Sequence, residues 1–600
     1  MTVWGCVDLL RGDVPRGADT RSFRDNWGIV SPDPMPLVEP IRKDERRARL
    51  NRFSRGVVAL LLLNACLSFS TWWPTPWVVL DARIAPEFIG LWVLIFGLVA
   101  WRGVIGAVGL RVLAWAYLLL VLGRYADVTV PALFGRPINA YWDLPQIPRF
   151  LWVSAQEWPW WWTAVVLAAF TTLLLGLYAA LRWGIGVAAS VVAPAARTRP
   201  WAWLLSLAAV GVAAANYAGV QATWPYVSKP VVPVALRQAQ VLWGAWSQAR
   251  QAVILPPSSA VDDAMSQAPG LALAALAGAD VVLMPLESLG AITYDDPQMS
   301  AVLQPARQRF EQDLRAGGFH VVSGFLKSPT FAGGSDLAHL SLLSGIDLSN
   351  PLRHDVLLTT QRDTLVTLFR AQGYQTFGVY PGVFWDWPER AFYRFDVYVD
   401  GPALRYEGPP MGFWRIPDQF SAAQLDVLFP RDAKAKPRFT FFPTITTHLP
   451  FSPVPPFQPD WKRVLSAEPF DDADVQRTRA ERPNWTHMRP DYVRMVEYSY
   501  RWLGALLRDR PGRETFYIFV GDHQPAASVT GEGASWDVPV YLVSRQERLL
   551  QRFVMLGYQP GVEPRREALG GLHDLTDHVL QAFSAQGPGV RSTRLARNSP

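Results

Sequence analysis

Cysteine is nearly missing from this chain. Cys6 and Cys66 are the only two in 600 residues, and none follows Cys66. That excludes a cysteine nucleophile, or one derived from cysteine, in the C-terminal half. It leaves the compartment open, because a domain of about 330 residues has core enough to be exported without disulfides. Charge of one sign is scarce as well. The formal net charge is +6, and it comes largely from arginines flanking apolar segments, so no nucleic-acid partner is expected. An early apolar core is also lacking. The first fifty residues are polar and basic, so no cleavable signal peptide is expected, and the first hydrophobic run would serve as an uncleaved anchor.

What is abundant is apolar surface, unevenly placed. Half of the residues are hydrophobic and 27 are Trp. Long apolar runs of the roughly 20 residues needed to span a bilayer fill the region from Gly56 to Val220. Five spans are expected: Gly56–Val79, Phe88–Gly109, Val112–Val130, Trp160–Ala180 and Trp201–Val220. The basic stretch Arg42–Arg55 precedes the first span, Arg102 and Arg111 fall at the next same-side turn, and Arg182, Arg197 and Arg199 at the one after. The positive-inside tendency then puts the N-terminus in the cytoplasm and everything after Val220 outside. On the outer side, "GRYADVTVPALFGRPINAYWDLPQIPRF" (Gly123–Phe150) mixes Arg124, Asp127, Arg136 and Asp143 with Tyr141 and Trp142. It reads either as ion pairs with an aromatic belt or as a pocket for a lipid head group. The expected organisation is a basic leader (1–55), a transmembrane domain (56–220), a juxtamembrane helix and linker (221–275) and an extracytoplasmic catalytic domain (276–600).

The last segment reads as an α/β domain with a mostly parallel sheet between helices. "ADVVLMPLESLG" (Ala279–Gly290) is a near-continuous apolar strand, as in a sheet covered on both faces, and it stops at Glu287. "ETFYIFVGDHQP" (Glu514–Pro525) is a second such strand, ending in Asp522 and His523. "RFTFFPTITTHLPF" (Arg438–Phe451) is a third, closing on His448, and "GYQTFGVYPGVFWDWPERAFYRFDVYVDG" (Gly373–Gly401) adds a strand and an aromatic loop with Trp385, Asp386 and Arg390. Open α/β sheets bind ligands at the carboxyl ends of their strands. Carboxylate and imidazole gathered there suit a divalent metal. "SPTFAGGSDLAHLSLLSG" (Ser328–Gly345) sets Ser335 after two glycines and at the mouth of a helix. A hydroxyl there reads either as an N-cap or, beside a divalent ion, as a nucleophile towards phosphorus or sulfur.

In this order, "VVLMPLES", the glycine-rich serine loop, "FWDWPER", "TTHLPF" and "GDHQP" resemble the alkaline phosphatase/sulfatase superfamily. The similarity is nearest to its membrane-anchored lipoteichoic acid synthase-like and phosphoglycerol or phosphoethanolamine transferase branch. The resemblance implies one catalytic divalent ion (Mn, Mg or Zn) held by Glu287, Ser335, Asp522 and His523, with Ser335 as nucleophile. It implies that His448 contacts the phosphate group and assists catalysis, and that Trp385 helps to bind substrate. The family's phosphate-binding Arg has no match in the motif; Arg390 and His339 are further substrate-binding candidates, and His339 reads equally as a structural helix residue. His354 is a further candidate for proton transfer. In this chain Ser stands where the lipid-dependent transferases usually carry Thr, "WDW" replaces their Trp-Asn-Arg, and "SDLAH" lacks the C/S-x-P-x-R setting of the formylglycine sulfatases. The resemblance implies transfer of a phosphorylated head group from a phospholipid donor to a glycan or lipid acceptor at the outer face of a bacterial inner membrane. A membrane-tethered phosphodiesterase, phosphatase or sulfatase-type hydrolase is the first alternative, and a non-catalytic regulatory membrane protein the second.

Overall fold

The computed structural model describes residues 43–157, 159–198, 227–246, 255–266 and 270–588, without 386, 388, 413, 431–434 and 510–512, together with scattered positions between 204 and 214. Its N-terminal part is helical: α1 (Lys43–Ser68), α2 (Pro86–Arg102), α3 (Ala107–Phe134), α4 (Ala140–Glu157), α5 (Trp160–Thr198) and α6 (Val232–Trp246). Three stretches are long and apolar enough to cross a membrane: Leu50–Ser68, Ala107–Phe134 and Trp160–Ala193. α2 is apolar but has 17 residues, about 26 Å at 1.5 Å per residue, slightly short of a hydrocarbon core of roughly 30 Å. Leu63, Leu67, Leu91, Ile95, Tyr117, Leu118, Leu181 and Ile185 interlock α1, α2, α3 and α5 into one apolar cluster.

The boundaries differ from the expected spans for local reasons. The first helix stops at Ser68 rather than running to Val79, because Pro74 and Pro76 lack the backbone donors a helix needs. In place of a continued helix, Ser70–Thr71 pairs antiparallel with Val78–Val79. The second helix ends at Arg102, where Gly103 turns the chain at φ 84°. Most of the expected fifth span and most of the basic leader lie outside the described residues.

The C-terminal part is built on one twisted sheet. Its strands are β1 (Asp280–Leu286), β2 (His320–Lys327), β3 (Gln375–Tyr380), β4 (Val397–Asp400), β5 (Arg438–Phe441), β6 (Thr515–Gly521), β7 (Asp537–Ser544), β8 (Gln559–Pro560) and β9 (Ala568–Gly571). The spatial order is β8-β2-β7-β6-β1-β5-β3-β4, with β9 also on β2. The half from β6 to β4 is parallel. β7 runs antiparallel to both β6 and β2, so the sheet is mixed.

Both faces are covered, which is why the central strands read as unbroken apolar runs. Along β1, Val281 and Leu283 enter one core, while Val282, Met284 and Leu286 enter the other. β6 divides in the same way, Phe516, Ile518 and Val520 against Tyr517 and Phe519. β1 and β6 pair in register from Asp280↔Thr515 to Leu286↔Gly521, so the loops that follow both strands emerge side by side at the same end. Gly521 makes that exit possible. A Cβ there would stand 1.9 Å from the Leu289 carbonyl oxygen, in the loop that follows β1. Gly521→Ala should therefore displace this loop at a cost of about 3 kcal/mol or more. A melting temperature unchanged from wild type in a thermal-denaturation series would contradict this close approach.

Candidate active site

At the shared end of β1 and β6, three buried ligand groups converge. Glu287, Asp522 and His523 present ligand atoms within 4.8 Å of one another, and their exposures are 4%, 0% and 2%. Ser335 completes the group. Its Oγ lies 3.3 Å from Glu287 Oε2 and 3.2 Å from His523 Nε2. These four residues are spread over more than 230 positions of sequence, and the topology alone brings them together.

Each is fixed from behind. The Glu287 amide donates to Thr444 Oγ1 at 2.9 Å, in the loop that follows β5. Asp522 Oδ1 accepts from the Ser288 amide (2.8 Å) and the His523 amide (2.7 Å). His523 Nδ1 lies 2.8 Å from the Gln524 carbonyl oxygen. A carbonyl only accepts, so Nδ1 carries the proton and the Nε2 lone pair faces Ser335, the tautomer a metal ligand requires. Ser288 was not among the expected site residues. It holds a positive φ of 54°, and its hydroxyl donates to Glu287 Oε1 at 2.9 Å. It thus ties the first carboxylate to the second, and Tyr492 Oη pins its carbonyl at 2.9 Å. The sequence offered no signal for Ser288 beyond its place next to Glu287.

The serine is not a helix cap. Gly334 occupies the N-cap position of α7 (Ser335–Ser344), at φ 75° and ψ 37°, and Ser335 is the first helical residue. Its hydroxyl is therefore turned towards the two strand ends rather than spent on the helix backbone. Asp336, alongside, is exposed to solvent.

The electrostatics fit a cation. Burial, and then the neighbouring Asp522, raise the Glu287 carboxyl well above the ordinary carboxylate range. Asp522 Oδ2 is buried with no hydrogen-bond partner among the described residues. An unpaired carboxylate oxygen in a dry site is costly, and a divalent ion relieves that cost. Two carboxylates, one imidazole and one hydroxyl are donors that Mn, Mg and Zn all accept.

Of the other expected residues, His339 and His448 interact with the cradle, whereas no contact joins Trp385, Arg390 or His354 to it among the described residues. His339 follows Ser335 by one turn and is 6% exposed. Its Nε2 is 3.8 Å from Asp522 Oδ2, and its ring meets Phe441 edge-on at 5.6 Å. Desolvation lowers its pKa. His448 stands against Trp414, with ring centroids 4.4 Å apart. Burial pulls its pKa down to about 4. Its Nδ1 sits 2.8 Å from the Leu449 carbonyl oxygen, so the neutral ring keeps Nε2 as an acceptor. Asp418 braces this loop by accepting from the Ile445 and Thr446 amides at 2.9 and 2.8 Å. Trp385 is 53% exposed, and the Arg390 guanidinium lies over Tyr398, 5.2 Å from its ring centre. His354 is buried on α8 (Pro351–Leu358), with Nδ1 3.1 Å from Asp355 Oδ1.

No curated protein matches the chain. Solved structures that resemble it include an alkaline phosphatase superfamily protein from Vibrio parahaemolyticus, with 18% identity and a TM-score of 0.34 over 51% of this chain and 66% of that one. They also include the Streptococcus pyogenes phosphoglycerol transferase GacH in complex with sn-glycerol-1-phosphate (12%, 0.33, 56% and 80%). A third is the lipoteichoic acid synthase LtaP from Listeria monocytogenes (14%, 0.30, 47% and 70%). Residues 320–583, which include Ser335, Asp522 and His523, match the sulfatase family model. The matched stretch, less than half of the chain, is thus similar to the sulfatase family and follows a set of apolar helices in the sequence.

Proposed function

We propose that the protein transfers a phosphorylated head group, phosphoglycerol or a close relative, from a membrane phospholipid to a glycan or lipid acceptor through a covalent ester on Ser335. The single observation that carries this reading is the position of Ser335 Oγ, 3.3 Å from Glu287 Oε2 and 3.2 Å from His523 Nε2, at the open end of the sheet. The ordered set of motifs shared with the lipoteichoic acid synthase-like transferases supports the choice of donor. The apolar helices support a site beside a membrane.

Glu287, Ser335, Asp522 and His523 are the residues that would hold one divalent ion, Mn, Mg or Zn. When bound, it supplies a lowered pKa for the serine hydroxyl and neutralisation of charge on the phosphoryl oxygens. The chain's own groups do the rest. Ser335 Oγ attacks the donor phosphorus, the bond from phosphorus to the diacylglycerol oxygen breaks, and the serine proton is passed in net to that oxygen. The start of α7 favours the anionic ester. An acceptor hydroxyl then attacks the ester and releases Ser335, its proton returning in net to the serine. His448, neutral with Nε2 free to accept, suits that second proton transfer better than it suits donation to a phosphate oxygen. Trp385 and Arg390 belong to the substrate-binding side of this proposal, and His339 supports Asp522.

The implied setting is a bacterial inner membrane, with residues 1–55 in the cytoplasm, 56–220 spanning, 221–275 linking and 276–600 outside. The second reading keeps every residue in the same role and lets water replace the acceptor. A test is to incubate the full chain with phospholipids of different head groups and weigh the Ser335 peptide. A head-group mass on that peptide is the expected result. An unmodified peptide from turning-over enzyme would remove the covalent mechanism. Head group appearing only in water would favour the hydrolase.

A further inference from the structure

The nucleophile loop is gripped from outside its own domain. Gly135, at the end of α3, lies against Phe331 so closely that a Cβ on it would stand 2.6 Å from the ring. Three residues along the loop, Gly334 lies under Trp142 of α4, where a Cβ would stand 3.1 Å from the indole Nε1. Gly334 immediately precedes Ser335. Both contacts come from the end of α3 and the first turn of α4, nearly 200 positions earlier in the chain.

That segment is held rigidly. Arg136 pairs with Asp143 at 2.5 Å, and Asp143 also accepts from the Asn139 amide at 2.8 Å. Gln238 of α6 clamps the turn from the other side, accepting from the Ala140 amide (2.8 Å) and donating to the Ile138 carbonyl (3.0 Å). α6 is in turn anchored to α2, since Glu87 Oε1 accepts from the Val231 and Val232 amides. On the domain side, the Tyr141 hydroxyl bonds Asp355, and the Trp142 ring stands edge-on to His354 at 5.6 Å.

The Trp142 indole N–H has no hydrogen-bond partner among the described residues, and the side chain is half-buried rather than sealed. A polar donor held this firmly next to the attacking residue is available to a ligand. The same helix shows where that ligand comes from. Leu144, Ile147 and Leu151, at 50%, 52% and 50% exposure, line one exposed apolar stripe of α4, the pattern of a helix lying at a lipid surface.

We infer that Trp142 is a substrate-positioning residue: its indole N–H donates to an oxygen of the lipid's phosphorylated head group as that group reaches Ser335. This rests on the proposed head-group transfer and names which part of the chain selects a lipid over a soluble ester. The helical bundle then supplies part of the active site as well as an anchor.

The test uses the full chain in nanodiscs containing phosphatidylglycerol, with soluble bis(4-nitrophenyl) phosphate as a second substrate. Trp142→Phe keeps the ring and removes the donor. The KM for the lipid should rise about tenfold, the equivalent of one net hydrogen bond of about 1.4 kcal/mol, with little change in kcat. Turnover of the soluble ester, which is not held at a bilayer beside α4, should fall less than that of the lipid, and an unchanged melting temperature certifies the fold. Equal losses on both substrates would make Trp142 a prop for the loop and overturn the inference, as would no loss on either. Ser335→Ala run in parallel separates the two failures. If it still turns over lipid, the head-group reading falls and this inference with it. If it is inactive while W142F matches wild type, only the role of Trp142 falls.

Discussion

Ser335→Ala should end turnover, lowering it by a factor on the order of 10⁴ or more, while the melting temperature hardly moves. The two halves of that expectation have separate origins. The loss follows from removing the group that forms the covalent ester, and knockouts of covalent nucleophiles in other enzymes reach comparable factors. The retained stability follows from the position of the residue. Ser335 is the first helical residue of α7, with Gly334 as the cap, so its hydroxyl satisfies no orphan amide of the helix. Its contacts to Glu287 and His523, at 3.3 and 3.2 Å, are long, and alanine is the better helix former. Ser335→Thr keeps the hydroxyl and should retain measurable activity. A Ser335→Ala protein as active as wild type in head-group release would move the nucleophile elsewhere.

Chelation should be equally severe for activity and should also be felt by the fold. With EDTA the turnover should drop to background and return on adding one of Mn, Mg or Zn. A site loaded at 100 to 1,000 times its dissociation constant stabilises the native state by roughly 3–4 kcal/mol, and that increment should vanish with the ion. The physical source is visible in the cradle. Glu287 and Asp522 are two buried carboxyls in mutual repulsion, and Asp522 Oδ2 has no partner of its own among the described residues. Asp522→Asn replaces one of the anionic oxygens. It should weaken the response of the melting temperature to added ion and lower activity by about 10²-fold or more. The check is a thermal-shift titration with each ion on wild type and variant. Identical melting curves with and without EDTA, alongside unchanged activity, would show that no cation works at these residues.

The parts of this site that could be read from sequence are those that end a strongly apolar strand. β1 and β6 are buried on both faces, so their sequences are continuous hydrophobic runs, and the first polar side chains after them, Glu287 and the Asp522–His523 pair, stand out. Ser335 was legible for a different reason: two glycines remove the side chains around it. Strand direction was not legible. β7, "DVPVYLVS", has the same apolar character as its parallel neighbours but runs against β6 and β2, because hydrophobic pattern records which faces are buried and carries nothing about polarity of pairing. Ser288 was missed because its contribution is a backbone amide and a short hydroxyl in a strained turn. The approach of Trp142 to Gly334 could not be seen either. It joins residues 192 positions apart in two differently built regions, and only the fold records such a meeting. The first apolar run extended beyond its helix because tryptophan and valine around Pro74 and Pro76 raise hydropathy without permitting helical hydrogen bonds.

The seven consecutive residue pairs that lock β1 to β6 bear on how quickly this site takes up an ion. Glu287 and the Asp522–His523 pair hang from two backbones that cannot slide past each other, so the pocket is already shaped before any ion arrives. Capture then requires no folding step and little loss of chain freedom. Loading from an empty state should follow simple second-order kinetics, limited by ion dehydration and access, and one molecule could exchange its ion many times without the sheet beneath it ever opening.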